Sequence, residues 1–453
     1  VKRIFQHSIQ WLNQPKSAAP LAVFRVLFGL LMVFNTIRFW YFGWIDDHFI
    51  KPMFHFKYFG FYWVEPLSAD WMYVLHILAG IAAFFIMLGW FYRIAAVLFF
   101  LLFTYFELID LTYYLNHYYF ISLMSFILIW LPANRYFSLD VRFGRVTQLP
   151  QISRWPLFWV KFQIATVYVF AGLAKINSDW LLHALPLRIW LPANSDMPVL
   201  GWMFNYEITS YLFSWAGMLY DTFIVFFLMW KRTRIWAYMA VIFFHGVTSW
   251  LFQIGVFPLV MSIIVLIFFS DEFHQKVIGF IQKAFSWIRL PNKSQLAISL
   301  PKLKPLAFAG LGLYILFQLL FPWRFIIYPG SMYWTEEAYR FGWRVMLVEK
   351  AGTAQFYVRD GVTGREGEVY NREFLNATQE KQMSFQPDMI IQYAHYLKHI
   401  YEAQGVQNPF VRCEAWVTLN GRPSQLLFDP QINLCEVNDS WQPKTWINPL
   451  KHD

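Results

Sequence analysis

Residues 157–175 read LFWVKFQIATVYVFAGLAK. Only Lys161 and Lys175 are charged in this run, which matches the ~20 mainly apolar residues an α-helix needs to cross a hydrocarbon core. Lys161, Tyr168 and Lys175 recur every seven residues, so they share one helix face. Eight further apolar runs flank it, near 20–41, 71–91, 94–109, 112–131, 208–230, 235–253, 255–270 and 305–322. The sequence therefore predicts a polytopic α-helical membrane protein of about nine transmembrane helices. Composition agrees. Of 453 residues, 21% are aromatic and 14% charged, against about 25% charged in a soluble protein. This excludes a disordered chain and argues against a soluble enzyme.

The formal net charge is +9, but the basic residues lie mostly in short gaps between apolar runs. That is a topology signal, and it excludes the basic patch of a nucleic-acid binder. One set of loops holds Lys2, Arg3, Lys16, Arg93, Arg135, Arg142, Arg145, Arg154, Lys231, Arg232, Arg234, Lys276, Lys283, Arg289, Lys293, Lys302 and Lys304. The opposite loops hold Lys51, Lys57 and Arg188, with Lys175 at a helix end. The N-terminus is thus expected in the cytoplasm and the C-terminal portion outside. No cleavable signal peptide is apparent in the chain, which begins at Val1.

After Pro322 the texture changes, giving an expected bundle over 1–322 and an extracytoplasmic β-rich α+β domain over 323–453. Gln355 to Gly361 followed by Gly364 to Tyr370 reads as a hairpin. Val411 to Leu419, then Asn420-Gly421, then Gln425 to Phe428 is a second. Between them, Asp388 to Ala403 has helical spacing.

Polar residues inside membrane spans are costly and mark function. Lys175 falls at the outer end of its span, where two readings stand: a snorkelling lysine, or a desolvated one whose neutral amine serves as general base. Asn116 and His117 fall in the outer half of the preceding span, at a matching depth; they read as interhelical hydrogen-bonding groups or as catalytic ones. His245, Ser249 and Gln253 form a stripe that lines a cavity or satisfies neighbouring helices. Arg25 and Asp221 read as a structural ion pair.

In the outer portion, His395 and His399 stand at i, i+4 without a third ligand, so a solvated helix face outweighs a metal site. Cys413 and Cys435 exclude a cysteine-based metal centre and leave a disulfide open. Asn376-Ala377-Thr378 and Asn438-Asp439-Ser440 fit the glycosylation sequon. No P-loop, dinucleotide fingerprint, nucleophile elbow or haem motif is found.

These residues together resemble the vitamin K-dependent γ-glutamyl carboxylase family, including its bacterial homologues in the HTTM group. The likeness is distributed along the chain. Leu21 to Gly29 resembles the family's first span; Asp70 to Tyr73, Met87 to Gly89 and Tyr92 to Ile94 resemble the next two. Asn116-His117 matches its Asn-His pair, and Ala171-Gly172 through Lys175 with Asp179-Trp180 matches its lysine segment. Phe244-His245, Ser249 and Leu251 to Gly255 resemble a later span. Tyr357 to Gly361 with Thr363-Gly364, and Phe428 to Pro430, resemble its outer domain.

The resemblance implies a carboxylase, a carbon–carbon lyase with quinol epoxidase activity. Lys175 would deprotonate vitamin K hydroquinone or a menaquinol-type naphthoquinol. The anion takes up O₂ and rearranges to an epoxide through a strongly basic alkoxide, which removes a γ-proton from a peptidyl glutamate. The carbanion then adds CO₂. His117 would assist the anion and Asn116 orient groups nearby. Tyr168, His245 and Ser249 are quinol-pocket candidates, and Trp334, Tyr339 and Trp343 glutamate-binding candidates. No metal is implied.

The implied partners are the bilayer, the quinol and a glutamate-containing peptide or protein. The implied location is a bacterial cytoplasmic membrane with the C-terminal domain periplasmic, or an ER membrane with it lumenal. This reading needs the Lys175 amine dry and free of any carboxylate partner. Three departures stand. Animal members have a second lysine where Ala174 lies. No cysteine precedes Cys413, so their disulfide between membrane and lumenal portions cannot form. The sequence also stops soon after Trp446 to Leu450, where they continue into a segment that serves propeptide binding. Alternatives are therefore a quinol epoxidase that carboxylates no protein, and a non-enzymatic scaffold or transporter.

Overall fold

The structure, a computed structural model, describes residues 2–252, 254–284 and 302–451. Gln253, Arg289 and Lys293 of the readings above lie outside the described residues. The N-terminal part is helical: α1 (Lys2–Leu12), α2 (Ala19–Tyr41), α3 (Ala69–Leu88), α4 (Tyr92–Ile109), α5 (Asn116–Trp130) and α6 (Leu139–Arg142). Next come α7 (Trp155–Ala174), the short α8 (Ser178–His183) and α9 (Leu187–Trp190), then α10 (Glu207–Met229), α11 (Arg234–Leu251) and α12 (Phe257–Ile264). They are followed by α13 (Asp271–Ala284) and α14 (Pro305–Leu320).

Among the described residues, six helices are long and apolar enough to cross a membrane: α2, α3, α4, α7, α10 and the α14 run to Ile327. A seventh counts if the bent pair 257–268 and 271–284, turned by 116°, is one span. Nine were expected. The run at 112–131 yields only the 15-residue α5, because Asp110 caps a 3₁₀ turn over Leu111–Tyr113 and the chain then extends to Leu115. The run at 255–270 breaks into eight α-helical residues and a 3₁₀ turn. The third, α11, is a continuous helix of 18 residues, but Arg234, His245, Thr248 and Ser249 leave it less apolar than the six. The chain is an integral membrane protein by these helices.

The basic loops gather at one end. Strand β1 (Pro15–Ser17) pairs antiparallel with β2 (Gln151–Ser153), and Tyr136 donates to Gln275 of α13 at 3.2 Å. Arg25 sits there too, wholly buried. Its guanidinium donates to the carbonyls of Ile86 and Met87 at the end of α3, at 2.7 and 2.6 Å, and to those of Ala133 and Phe137. A cation thus satisfies the C-terminal carbonyls that a helix leaves unpaired.

The other end carries the C-terminal region. It has α15 (Met332–Thr335), β3 (Lys350–Arg359), β4 (Glu366–Glu368), α16 (Ala377–Met383), α17 (Pro387–Ala403), β5 (Phe410–Leu419) and β6 (Gln425–Leu426). The antiparallel sheet runs β4-β3-β5-β6, with Phe356 opposite Cys413, and α17 packs on it through Ile390, Tyr393 and Leu397. Both expected hairpins and the helix form. Asn376 caps α16 in a capping box with Gln379, and its amide also donates to Tyr113. Cys413 and Cys435 are free thiols. The apolar core of this region includes Phe56, Tyr58 and Leu111 from loops of the bundle, so the two parts are packed together.

Candidate functional site

Gly172 brings α7 and α10 together. A Cβ built there would stand 2.5 Å from the backbone nitrogen of Thr222, so no larger residue permits this approach. The buried face of α10 reads Ser210, Ser214, Gly217 and Asp221, small and polar residues at helical spacing. The consequence is an ion pair. Lys175 Nζ lies 2.8 Å from Asp221 Oδ2, and both side chains are buried. Nζ also donates to the Ala171 carbonyl at 3.2 Å and the Val345 carbonyl at 3.5 Å, and lies 5.2 Å from the centre of the Trp180 ring.

Two expectations are corrected here. Lys175 is not a solitary amine: the Asp221 carboxylate clamps it. Asp221 does not pair with Arg25, which is spent on backbone carbonyls at the basic end of the bundle. A carboxylate buried on α10 needs a counter-charge at its own depth, and Lys175 supplies it.

The pair opens into an apolar cavity of about 410 Å³. Its wall comes from α7, α10, α11 and the short helices α8 and α9, with Val345 and Met346 of the outer region. Leu212 and Phe243 belong to the wall and are exposed on the outer helix surface, so the cavity reaches the face that meets lipid. At its far end Tyr168 OH and His245 Nε2 lie 3.0 Å apart. Among the described residues, the other His245 ring nitrogen is buried without a hydrogen-bond partner. Two polar stations, seven residues or roughly 10 Å apart along α7, therefore share one apolar wall.

The remaining candidates are placed as follows. Ser249, one turn after His245, is exposed and outside the wall, and its neighbour Thr248 is in the wall instead. His117 is buried one ring behind the wall, 5.6 Å from Phe257 between ring centres. Asn116 donates to the Arg344 carbonyl at 2.8 Å, next to the Val345 carbonyl that faces Lys175. Asn116 and Lys175 thus meet neighbouring carbonyls of one backbone segment.

Trp334 is buried and donates to the Asn448 carbonyl, and Trp343 is buried with its ring 4.8 Å from Tyr119. Only Tyr339 of that trio lines open space. It faces a smaller, polar chamber of about 200 Å³ with Thr112, Tyr114, Glu336, Arg340, Lys350, Gln382 and Gln386. Burial opposes the Arg340 charge, yet Asp388 at 2.5 Å holds that guanidinium protonated above its ordinary value. Burial alone would raise the Asp388 carboxyl, but Arg340 holds it below the usual carboxylate range. Burial pushes the Lys350 ammonium down in spite of Glu336 at 2.8 Å.

The outer region is bolted to the segment that follows Lys175. Asp179 accepts from Arg422 at 2.7 and 2.9 Å and from Asn420 at 2.7 Å, and Trp190 donates to Glu349 at 2.5 Å. Reading the sequence missed this tie and missed Asp221 as the partner of Lys175. The first had no local signal. The second was present in the small-residue spacing of α10.

Against known families, residues 13–273 match the HTTM domain. Residues 303–453 match the vitamin K-dependent gamma-carboxylase, lumenal domain. No solved structure matches the chain.

Proposed function

The chain belongs to the HTTM-domain, vitamin K-dependent gamma-carboxylase family, and from that premise we propose that it is a membrane carboxylase that couples oxygenation of a naphthoquinol to γ-carboxylation of glutamate. A gamma-carboxylase-like function follows from its domains. The finer reading rests on the Lys175–Asp221 pair at the wall of a dry, lipid-facing cavity.

The base is the pair, not a free amine. The Asp221 carboxylate would take the hydroxyl proton while the positive Lys175 stays beside the developing oxyanion, so the pair ends one proton richer. A flat apolar ligand with a polar group at each end suits the wall. Lys175 and Asp221 would hold one end, Tyr168 and His245 the other. The quinol supplies the reducing electrons that convert O₂ binding into a strong base. The cavity wall keeps that base from water. His117, behind Phe257, would act through the wall, and Asn116 through the 344–345 backbone.

The acceptor glutamate would enter through the polar chamber at Tyr339, where Arg340, Lys350 and two glutamines offer donors; Trp334 and Trp343 would support it by packing. CO₂ is the co-substrate there. The C-terminal region would lie in the periplasm of a bacterial cell.

Purified protein in nanodiscs, given reduced naphthoquinone, O₂, a glutamyl peptide and labelled bicarbonate, tests this. Epoxide with label fixed in the peptide is expected, and Lys175→Met is expected to abolish both. Epoxide without fixation would reduce the function to quinol oxygenation. Neither product from the wild type would overturn the reading.

A further inference from the structure

One backbone segment, residues 336–346, separates the apolar cavity from the polar chamber: Val345 and Met346 belong to the first wall, Tyr339 and Arg340 to the second. It is strained. Glu336, Ala338, Phe341, Trp343 and Met346 all hold φ between 51° and 62°, and none is glycine. Side chains rarely adopt that left-handed conformation, and it persists only where the surroundings over-determine it.

The surroundings that do so are specific. The Phe341 N–H donates to Tyr114 OH at 2.7 Å. Tyr114 OH donates to Asn116 Oδ1 at 3.1 Å, and Asn116 Nδ2 donates to the Arg344 carbonyl at 2.8 Å. Two side chains, two residues apart where the chain enters α5, thus grip the segment at Phe341 and at Arg344. The Tyr114 ring packs edge-on against Phe341 with centres 5.0 Å apart. The next carbonyl along, that of Val345, is the one that faces Lys175 Nζ.

We propose that Tyr114 is a positioning residue of the site: with Asn116 it fixes the strained segment so that the Val345 carbonyl meets Lys175 and the partition between the two cavities stays closed. This rests on the reading of the Lys175–Asp221 pair as the base. Asn116 then works on the protein backbone and not on the quinol.

Tyr114→Phe removes one hydroxyl and keeps the ring. Hydrogen–deuterium exchange of the 336–346 peptide in nanodiscs is expected to quicken about tenfold, the worth of one buried hydrogen bond. Quinol turnover is expected to show a lower kcat with KM for quinol unchanged and a displaced pH profile. Asn116→Leu, which cuts the second grip, should quicken exchange in the same peptide should Tyr114→Phe fail to fold. Tyr58→Phe, in the same aromatic cluster, should change neither readout. Unchanged exchange in both clamp variants overturns the clamp. Quickened exchange with wild-type kcat and pH profile overturns the positioning role. A wild type that forms no epoxide overturns the functional reading, while the exchange measurement still decides the clamp.

Discussion

A double-mutant cycle on Lys175 and Asp221 separates what their pairing does for the fold from what it does for chemistry. Two unit charges 2.8 Å apart attract by about 6 kcal/mol at an effective dielectric of about 20. Desolvation consumes most of that, and removing one partner from a buried pair typically costs about 3–5 kcal/mol because the other charge is left uncompensated. Lys175→Met and Asp221→Leu are each expected to lose that much, read by tryptophan fluorescence during unfolding in nanodiscs. The double variant replaces the pair by apolar groups and is expected within about 1 kcal/mol of wild type, a coupling of about 5 kcal/mol or more. It should be stable and form no epoxide. A coupling below about 0.5 kcal/mol would show that the charges do not compensate each other, and a stable double variant that still makes epoxide would remove the pair from the mechanism.

Asp221→Asn keeps the size of the side chain but cannot take a proton; epoxide formation should fall by about 10²-fold or more, and an unchanged rate would leave Lys175 acting alone. Gly172→Ala drives a methyl into the Thr222 backbone and should cost about 1–3 kcal/mol while lowering epoxide yield, both measurable on the same preparation. The outer region should lose local stability in acid. Since Arg340 holds the Asp388 carboxyl below its ordinary value, the contribution is complete above about pH 4 and lost as pH falls through the lowered value. Hydrogen exchange of the 382–392 peptide from pH 7 to pH 3 should show protection lost only at the acid end.

The bundle was legible because its apolar runs are long, and the hairpins because Asn420-Gly421 and alternating strands carry strong local signals. The span count was less so: hydropathy does not show that Asp110 caps a turn or that the chain bends by 116° between 268 and 271. Lys175, Asn116, Tyr168 and His245 were singled out by asking which polar groups a membrane would not tolerate. The same question found Asp221 and Arg25 but mated them wrongly, since sequence fixes a residue's depth better than its neighbours. The Tyr114 grip and the Asp179–Arg422 tie join positions more than two hundred residues apart and left no periodic trace.

That last tie has a consequence for biosynthesis. Asp179 and Arg422 are separated by 243 residues, and a ribosome adding about 5–20 residues per second needs roughly ten to fifty seconds to deliver the second after the first. The helices around Lys175 enter the bilayer during that interval with their outer cover still unmade. A nascent chain thus waits with an open, unfinished pocket, and competence arrives only once Arg422 has been made and the β5–β6 turn closes over α8.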